Sequence, residues 1–175
     1  GLKEVRGKII GEASCFERAI PDTWIWSDIG NYFGAAPCGL SFMDNKFRIV
    51  FETGETGSKA SILRISPQYI NTTITVNSGV IAKGSEDEAF VYGDPFSYTK
   101  DINGKIPPNK KNFDVEAALP DPALLCAEMF CNSLIKAGIV CNQKSVSSNY
   151  KKSDTIPAKQ LLYTYTSPPL DQIVL

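Results

Sequence analysis

Apolar residues recur at helical spacing over one long stretch, residues 119–138, and that stretch predicts the only long helix of the chain. Asp121 can accept from the free amides of a first turn. Pro122 suits the first helical position, and Gly138 can take the left-handed conformation that ends a helix. At about 100° per residue, Ala123, Leu124, Cys126, Ala127, Phe130, Cys131, Leu134, Ile135 and Ala137 fall on one half of the surface. Glu128, Asn132, Ser133 and Lys136 share the other half with Leu125 and Met129. The first half is expected to be buried, with Phe130 at its centre, and its mixture of large residues with Ala and Cys suits a helix laid on a sheet.

Elsewhere the pattern has the period of strands. Residues 8–14 read as a short strand. Residues 40–43 and 47–52 flank Asp44-Asn45-Lys46 with Phe47, Ile49 and Phe51 alternating against Arg48, Val50 and Glu52, which predicts a hairpin. Further strands are predicted at 60–65, 69–76, 79–83, 88–92, 98–102, 113–117, 139–141 and 160–166, with a polar linker over 143–158 and a short capped helix from Ser167 onward. From Thr53 the composition turns to Gly, Ser, Thr and Glu, and near Ile106 paired prolines precede two lysines. These shifts mark out a small all-β lobe. The expected fold is α/β and strand-rich, a sheet packed on one long helix. Residues 1–53 and 112–175 form that discontinuous α/β domain, and residues 54–111 a small β domain inserted in it.

One segment breaks the alternation. Residues 24–35, Trp-Ile-Trp-Ser-Asp-Ile-Gly-Asn-Tyr-Phe-Gly-Ala, bring four aromatic rings around one possible helical turn capped by Ser27 or Asp28. As residues alone they read as an aromatic plug over the end of the core.

Composition narrows the chemistry. The chain has 175 residues, 18 basic and 19 acidic, so its net charge of -1 favours neither a phosphate backbone nor an anionic membrane, and no nucleic-acid partner is expected. No apolar run approaches the roughly 20 residues that span a bilayer, so no transmembrane segment is expected. The start, Gly1-Leu2-Lys3-Glu4, has neither an initiator Met nor a signal-peptide core, and the chain is expected to be part of something longer. There is no histidine, which removes Ser-His-Asp and Cys-His catalysis and the commonest metal ligand. The five cysteines form no C-x-x-C pair and read as small apolar residues. Neither a metal nor a cofactor is expected.

Three fragments imitate the signature of penicillin-recognising serine enzymes: Ser97-Tyr98-Thr99-Lys100, Ser147-Ser148-Asn149 and Lys136-Ala137-Gly138. Their context argues against them. The S-x-x-K must open a buried helix, yet Pro95 precedes it, and Asn103-Gly104 and Pro107-Pro108 follow. Lys136 ends a helix, where a cation favours the dipole, and it precedes the S-x-N instead of following it. Lys100 is expected to be exposed and protonated. A minimal penicillin-reactive enzyme using Ser97 and Lys100 is therefore the weakest functional alternative.

Taken in order, residues 11–16, 24–28, 31–35, 40–42, 104–107, 119–123 and 167–170 resemble the D-Ala-D-Ala carboxypeptidase/endopeptidase family, the class C low-molecular-mass penicillin-binding proteins. The resemblance runs from near residue 8 to the end. It implies that this chain corresponds to the insertion that family carries between its S-x-x-K and S-x-N motifs, an α/β domain with a small β domain nested in it. The catalytic residues would then lie outside the chain. The parent would be a serine hydrolase of the periplasm or cell envelope acting on peptidoglycan stem peptides. The partners would be that peptide and the catalytic penicillin-binding domain of the same parent chain. By position, the resemblance nominates Trp24 and Tyr32 as the wall of a stem-peptide pocket, with Trp26 and Phe33 in the core. The main alternative is a stand-alone module binding cell-wall peptide or glycan.

Overall fold

The computed structural model describes residues 1–17, 19–68, 73–148 and 160–173. In chain order the elements are β1 (Glu4–Val5), β2 (Ile10–Glu12), α1 (Trp26–Ile29), 3₁₀ turns at Tyr32–Gly34 and Met43–Asn45, β3 (Lys46–Glu52), β4 (Ser61–Ser66), β5 (Thr75–Ala82), β6 (Glu88–Tyr92), β7 (Thr99–Ile106), β8 (Phe113–Ala118), α2 (Pro122–Lys136), β9 (Val140–Cys141), β10 (Val146–Ser148) and α3 (Leu170–Ile173). The fold is mixed α/β and strand-rich.

Two three-stranded sheets carry most of the structure, ordered β4-β3-β8 and β5-β7-β6. In the first, the alternation of Phe47, Ile49 and Phe51 makes β3 the middle strand, antiparallel to both neighbours. In the second, β7 is the middle strand, parallel to β5 and antiparallel to β6. Phe47, Ile49, Phe51 and Ile65 from one sheet and Val80, Val91, Ile102 and Ile106 from the other belong to a single buried cluster that also holds Leu125 of α2. The chain leaves β3 at Thr53 and returns towards β8 past Pro107 to Lys110. Thr53 ties the two passages together: its hydroxyl donates to the Pro107 carbonyl at 2.7 Å and accepts the Lys110 N–H at 2.9 Å.

The ends of α2 form as the sequence predicts. Asp121 accepts the Leu124 N–H at 3.0 Å, Pro122 opens the helix, and Gly138 has φ +82°. Its buried side differs. The buried residues are Pro122, Ala123, Leu125 and Ala127, while Phe130 is 56% exposed and Ile135 is exposed too. Leu125 turns towards the two-sheet core, where Met129 also packs. Ala123 and Ala127 lie on the side of Phe130, but the cover there is β2 paired with β10, strands of three residues each. At Gly11 of β2 the backbones come so close that a Cβ would run into the Ala123 carbonyl. The short strands cover the first turns of the helix and stop before Phe130.

Other departures have local causes. Residues 40–43 do not pair with β3, because Met43, Asp44 and Asn45 all take positive φ, 55°, 54° and 53°, and turn the chain away. Asn45 holds this turn: its amide donates to the Ala36 carbonyl and the Ser41 hydroxyl, its carbonyl oxygen accepts the Phe42 N–H, and its main-chain carbonyl accepts the Leu119 N–H. The strands expected at 69–76 and 79–83 meet in one, β5, with residues 69–72 outside the described part. The polar stretch after β9 contains β10, parallel to β2, although the rest of the linker to residue 158 lies outside the described residues. Residues 160–166 carry no strand, and α3 is one exposed turn.

Candidate functional site

The aromatic segment sits between the two sheets, held by its smallest and most polar members. Asn31 is 3% exposed, and Gly30 and Gly34 are buried. The Asn31 side-chain amide donates to the Ser27 carbonyl at 2.6 Å, and its oxygen accepts the Val91 N–H of β6 at 2.9 Å. Asn31 also bridges Ala117 of β8, and the Ala118 N–H donates to the Gly30 carbonyl at 3.0 Å. Helix α1 is a single turn with Ile25 at its N-cap and no side-chain cap, so neither Ser27 nor Asp28 caps it.

With the backbone anchored this way, the rings face outward. Tyr32 is 49% exposed, Phe33 53% and Trp26 60%, and Trp24 is half-buried. Trp26 and Phe33 are therefore not core residues: the positions that fit between the sheets are those of Gly30 and Asn31, with a small and a hydrogen-bonding side chain, while Gly34 is buried against the backbone of α1 at Asp28 and Ile29. Tyr32 and Phe33 meet edge to face, their centroids 5.2 Å apart at 79°. The Lys46 ammonium lies 5.5 Å from the Tyr32 ring centroid and 3.0 Å from a Glu116 carboxylate oxygen, whose partner oxygen accepts from Arg48 at 3.3 Å. On one side of the segment a groove of about 250 Å³ is lined by Tyr32, Phe33, Asp87, Phe90 and Glu116 over Asn31 and Val115. Burial raises the Asp87 carboxyl above its ordinary range, although the Ala89 N–H bonded to it works the other way. An aromatic wall with charged groups at its rim suits an aliphatic chain that ends in a polar group.

Ser97 and Lys100 are not arranged for acylation. The Ser97 hydroxyl donates to the Thr99 carbonyl at 3.2 Å and accepts the Thr99 N–H, and the strand β7 starts there instead of a helix. Lys100 is nevertheless buried, contrary to the expectation of an exposed ammonium. It faces the same way as Ile102 and Ile106, two and six residues on, and donates to the Asp94 carbonyl at 2.6 Å. Burial lowers its pKa to about 8, opposed by the nearby Asp94 carboxylate. The period of two through Ile102 and Ile106 was the signal in the sequence that placed it inside. Lys136 lies exposed in the last turn of α2, Ser147 sits on β10 hydrogen-bonded to Asp121, and Asn149 is outside the described residues. No described cysteine is in a disulfide; Cys15 is exposed and the other four are half-buried.

The profile of the D-Ala-D-Ala carboxypeptidase 3 (S13) family matches residues 1–175. The chain belongs to that family. Among solved structures it is similar to penicillin binding protein 4 (dacB) from Haemophilus influenzae, with 18% identity and a TM-score of 0.54 over 80% of this chain and 31% of that one. At this identity the likeness speaks for the fold, and the chain spans under a third of that protein's length. Comparison with curated protein sequences gives no match. Among the described residues of this S13-family chain, no helix is long and apolar enough to cross a membrane.

Proposed function

We propose that this chain forms the accessory, non-catalytic part of a serine-type D-Ala-D-Ala carboxypeptidase/endopeptidase of the periplasm or cell envelope, acting on peptidoglycan stem peptides. Trp24 and Tyr32 serve as the wall of the pocket for the peptide's side-chain end. The catalytic penicillin-binding domain of the same parent chain supplies the serine. Within this chain, residues 1–53 and 112–175 act as the α/β domain and residues 54–111 as the inserted β domain.

The observation that carries this reading is the outward-facing aromatic segment in a chain matched along its whole length by the S13 family. A rigid ring held by a clamped backbone offers contact area at little entropic cost. The bonding of Ser97 to Thr99 and of Lys100 to Asp94 supports placing catalysis elsewhere. The apolar side chain of Phe130, left uncovered on α2, is consistent with a neighbouring domain seated there. In the full-length parent, Tyr32→Ala and Trp24→Ala should each raise KM for a stem pentapeptide by about tenfold with kcat little changed, as when ground and transition states lose the same contact. Unchanged KM in both variants would remove the pocket role.

A further inference from the structure

Two strand edges that would otherwise be open face the same dipeptide. Strand β6 is the outer strand of one sheet and β8 the outer strand of the other. Edge strands present N–H and C=O groups with no ladder partner, and proteins cover them. Here Gly30 and Asn31 do so for both. The main chain of the pair serves β8, through the Ala118 N–H and the bridge to Ala117. The side chain of Asn31 serves β6, through the Val91 N–H. Gly30 permits this approach because a Cβ there would run into the Val91 carbonyl.

Tyr32 is the next residue, and its ring, about half exposed, touches Phe33 edge to face and the Lys46 ammonium. We propose that Asn31 is a positioning residue for the aromatic wall: it sets the Tyr32 ring by the packing of one sheet against the other, and the β5-β7-β6 sheet acts as a template for recognition. The inference rests on the reading of Tyr32 as a pocket wall. A carboxamide is the side chain for the task, since one end must accept from Val91 and the other donate to Ser27. An aspartate in the same place could accept from Val91 but would turn an oxygen towards the Ser27 carbonyl. A leucine could do neither.

The test uses the full-length parent with tyrosine rings labelled for NMR, a stem pentapeptide ending in D-Ala-D-Ala as probe, and the variants Asn31→Leu, Asn31→Asp, Gly30→Ala and Tyr32→Ala. Leaving the buried Val91 N–H unpaired should speed its amide exchange by about tenfold or more. In Asn31→Leu the Tyr32 ring resonance should move and pentapeptide affinity should fall by about tenfold, with Ile102 exchange unchanged, and Asn31→Asp should lie between. Gly30→Ala pushes the same segment from the Val91 side and should displace the same resonance, which keeps the test open should Asn31→Leu fail to fold. Faster Val91 exchange with the Tyr32 resonance and pentapeptide affinity both unchanged would overturn the proposal, leaving Asn31 as an edge cap only. Tyr32→Ala separates the two readings: unchanged affinity there defeats the pocket role, while the ring resonance in the Asn31 variants still judges positioning.

Discussion

Phe51→Ala should cost about 3–5 kcal/mol of unfolding free energy, and Phe130→Ala, although it removes the same ring, should change it by no more than about 0.5 kcal/mol. Phe51 lies on the middle strand of its sheet with no exposed surface, inside the cluster that joins both sheets and α2. Its removal leaves a cavity that rigid strands on either side cannot fill. Phe130 keeps more than half its surface in water, and alanine is the better helix former. Urea melts of the two variants against the parent chain give the comparison. Equal losses would mean that the end of α2 is covered in this chain after all.

Stability should rise between pH 8 and 10.5, and Lys100 should be the cause. Its pKa falls from 10.5 in the unfolded chain to about 8 in the fold, because burial penalises the ammonium. Between those values the unfolded state binds more protons, so unfolding free energy increases with pH; the penalty is fully present below pH 8 and gone above 10.5. The shift corresponds to about 3 kcal/mol across that window. Lys100→Met keeps the apolar stem and removes the charge, leaving the Asp94 carbonyl without its donor. It should stabilise the chain at pH 7 and flatten its pH dependence. Denaturant midpoints for both chains at pH 7, 8.5 and 10 test this, since the difference between them cancels the titration of the tyrosines and cysteines. Parallel curves would show that Lys100 titrates alike in both states.

Much of this was legible from periodicity and from the residues that end elements. Asp121, Pro122 and Gly138 fixed α2, and the alternation through Phe47, Ile49 and Phe51 marked the middle of a sheet. What escaped has more than one cause. Periodicity gives the direction of a side chain and not the extent of what covers it, so Phe130 points the right way but lies past the end of β2 and β10. The resemblance, carried over by position, puts Trp26 and Phe33 in the core, whereas the segment is held between the sheets through Gly30 and Asn31 and leaves both rings more than half exposed. Charge concealed Lys100, although its parity with Ile102 and Ile106 pointed inward. The turn at Met43–Asn45 was the hardest to foresee, since three consecutive left-handed residues without a glycine depend on the distant carbonyl and amide partners of Asn45. The resemblance supplied what residues alone could not, the nomination of Trp24 and Tyr32.

On the proposed function, catalysis belongs to the parent enzyme and not to this chain. Acylation needs a serine whose proton passes to a base within about 3 Å and an oxyanion site for the developing charge. The Ser97 hydroxyl is engaged by Thr99 and the Lys100 amine by Asp94, so a lowered lysine pKa does not make the pair a nucleophile and base. Incubation of the 175-residue chain with a fluorescent penicillin, followed by intact mass measurement, tests this most directly. The expected result is an unmodified mass at every time point. A stoichiometric adduct that disappears in Ser97→Ala would contradict the account.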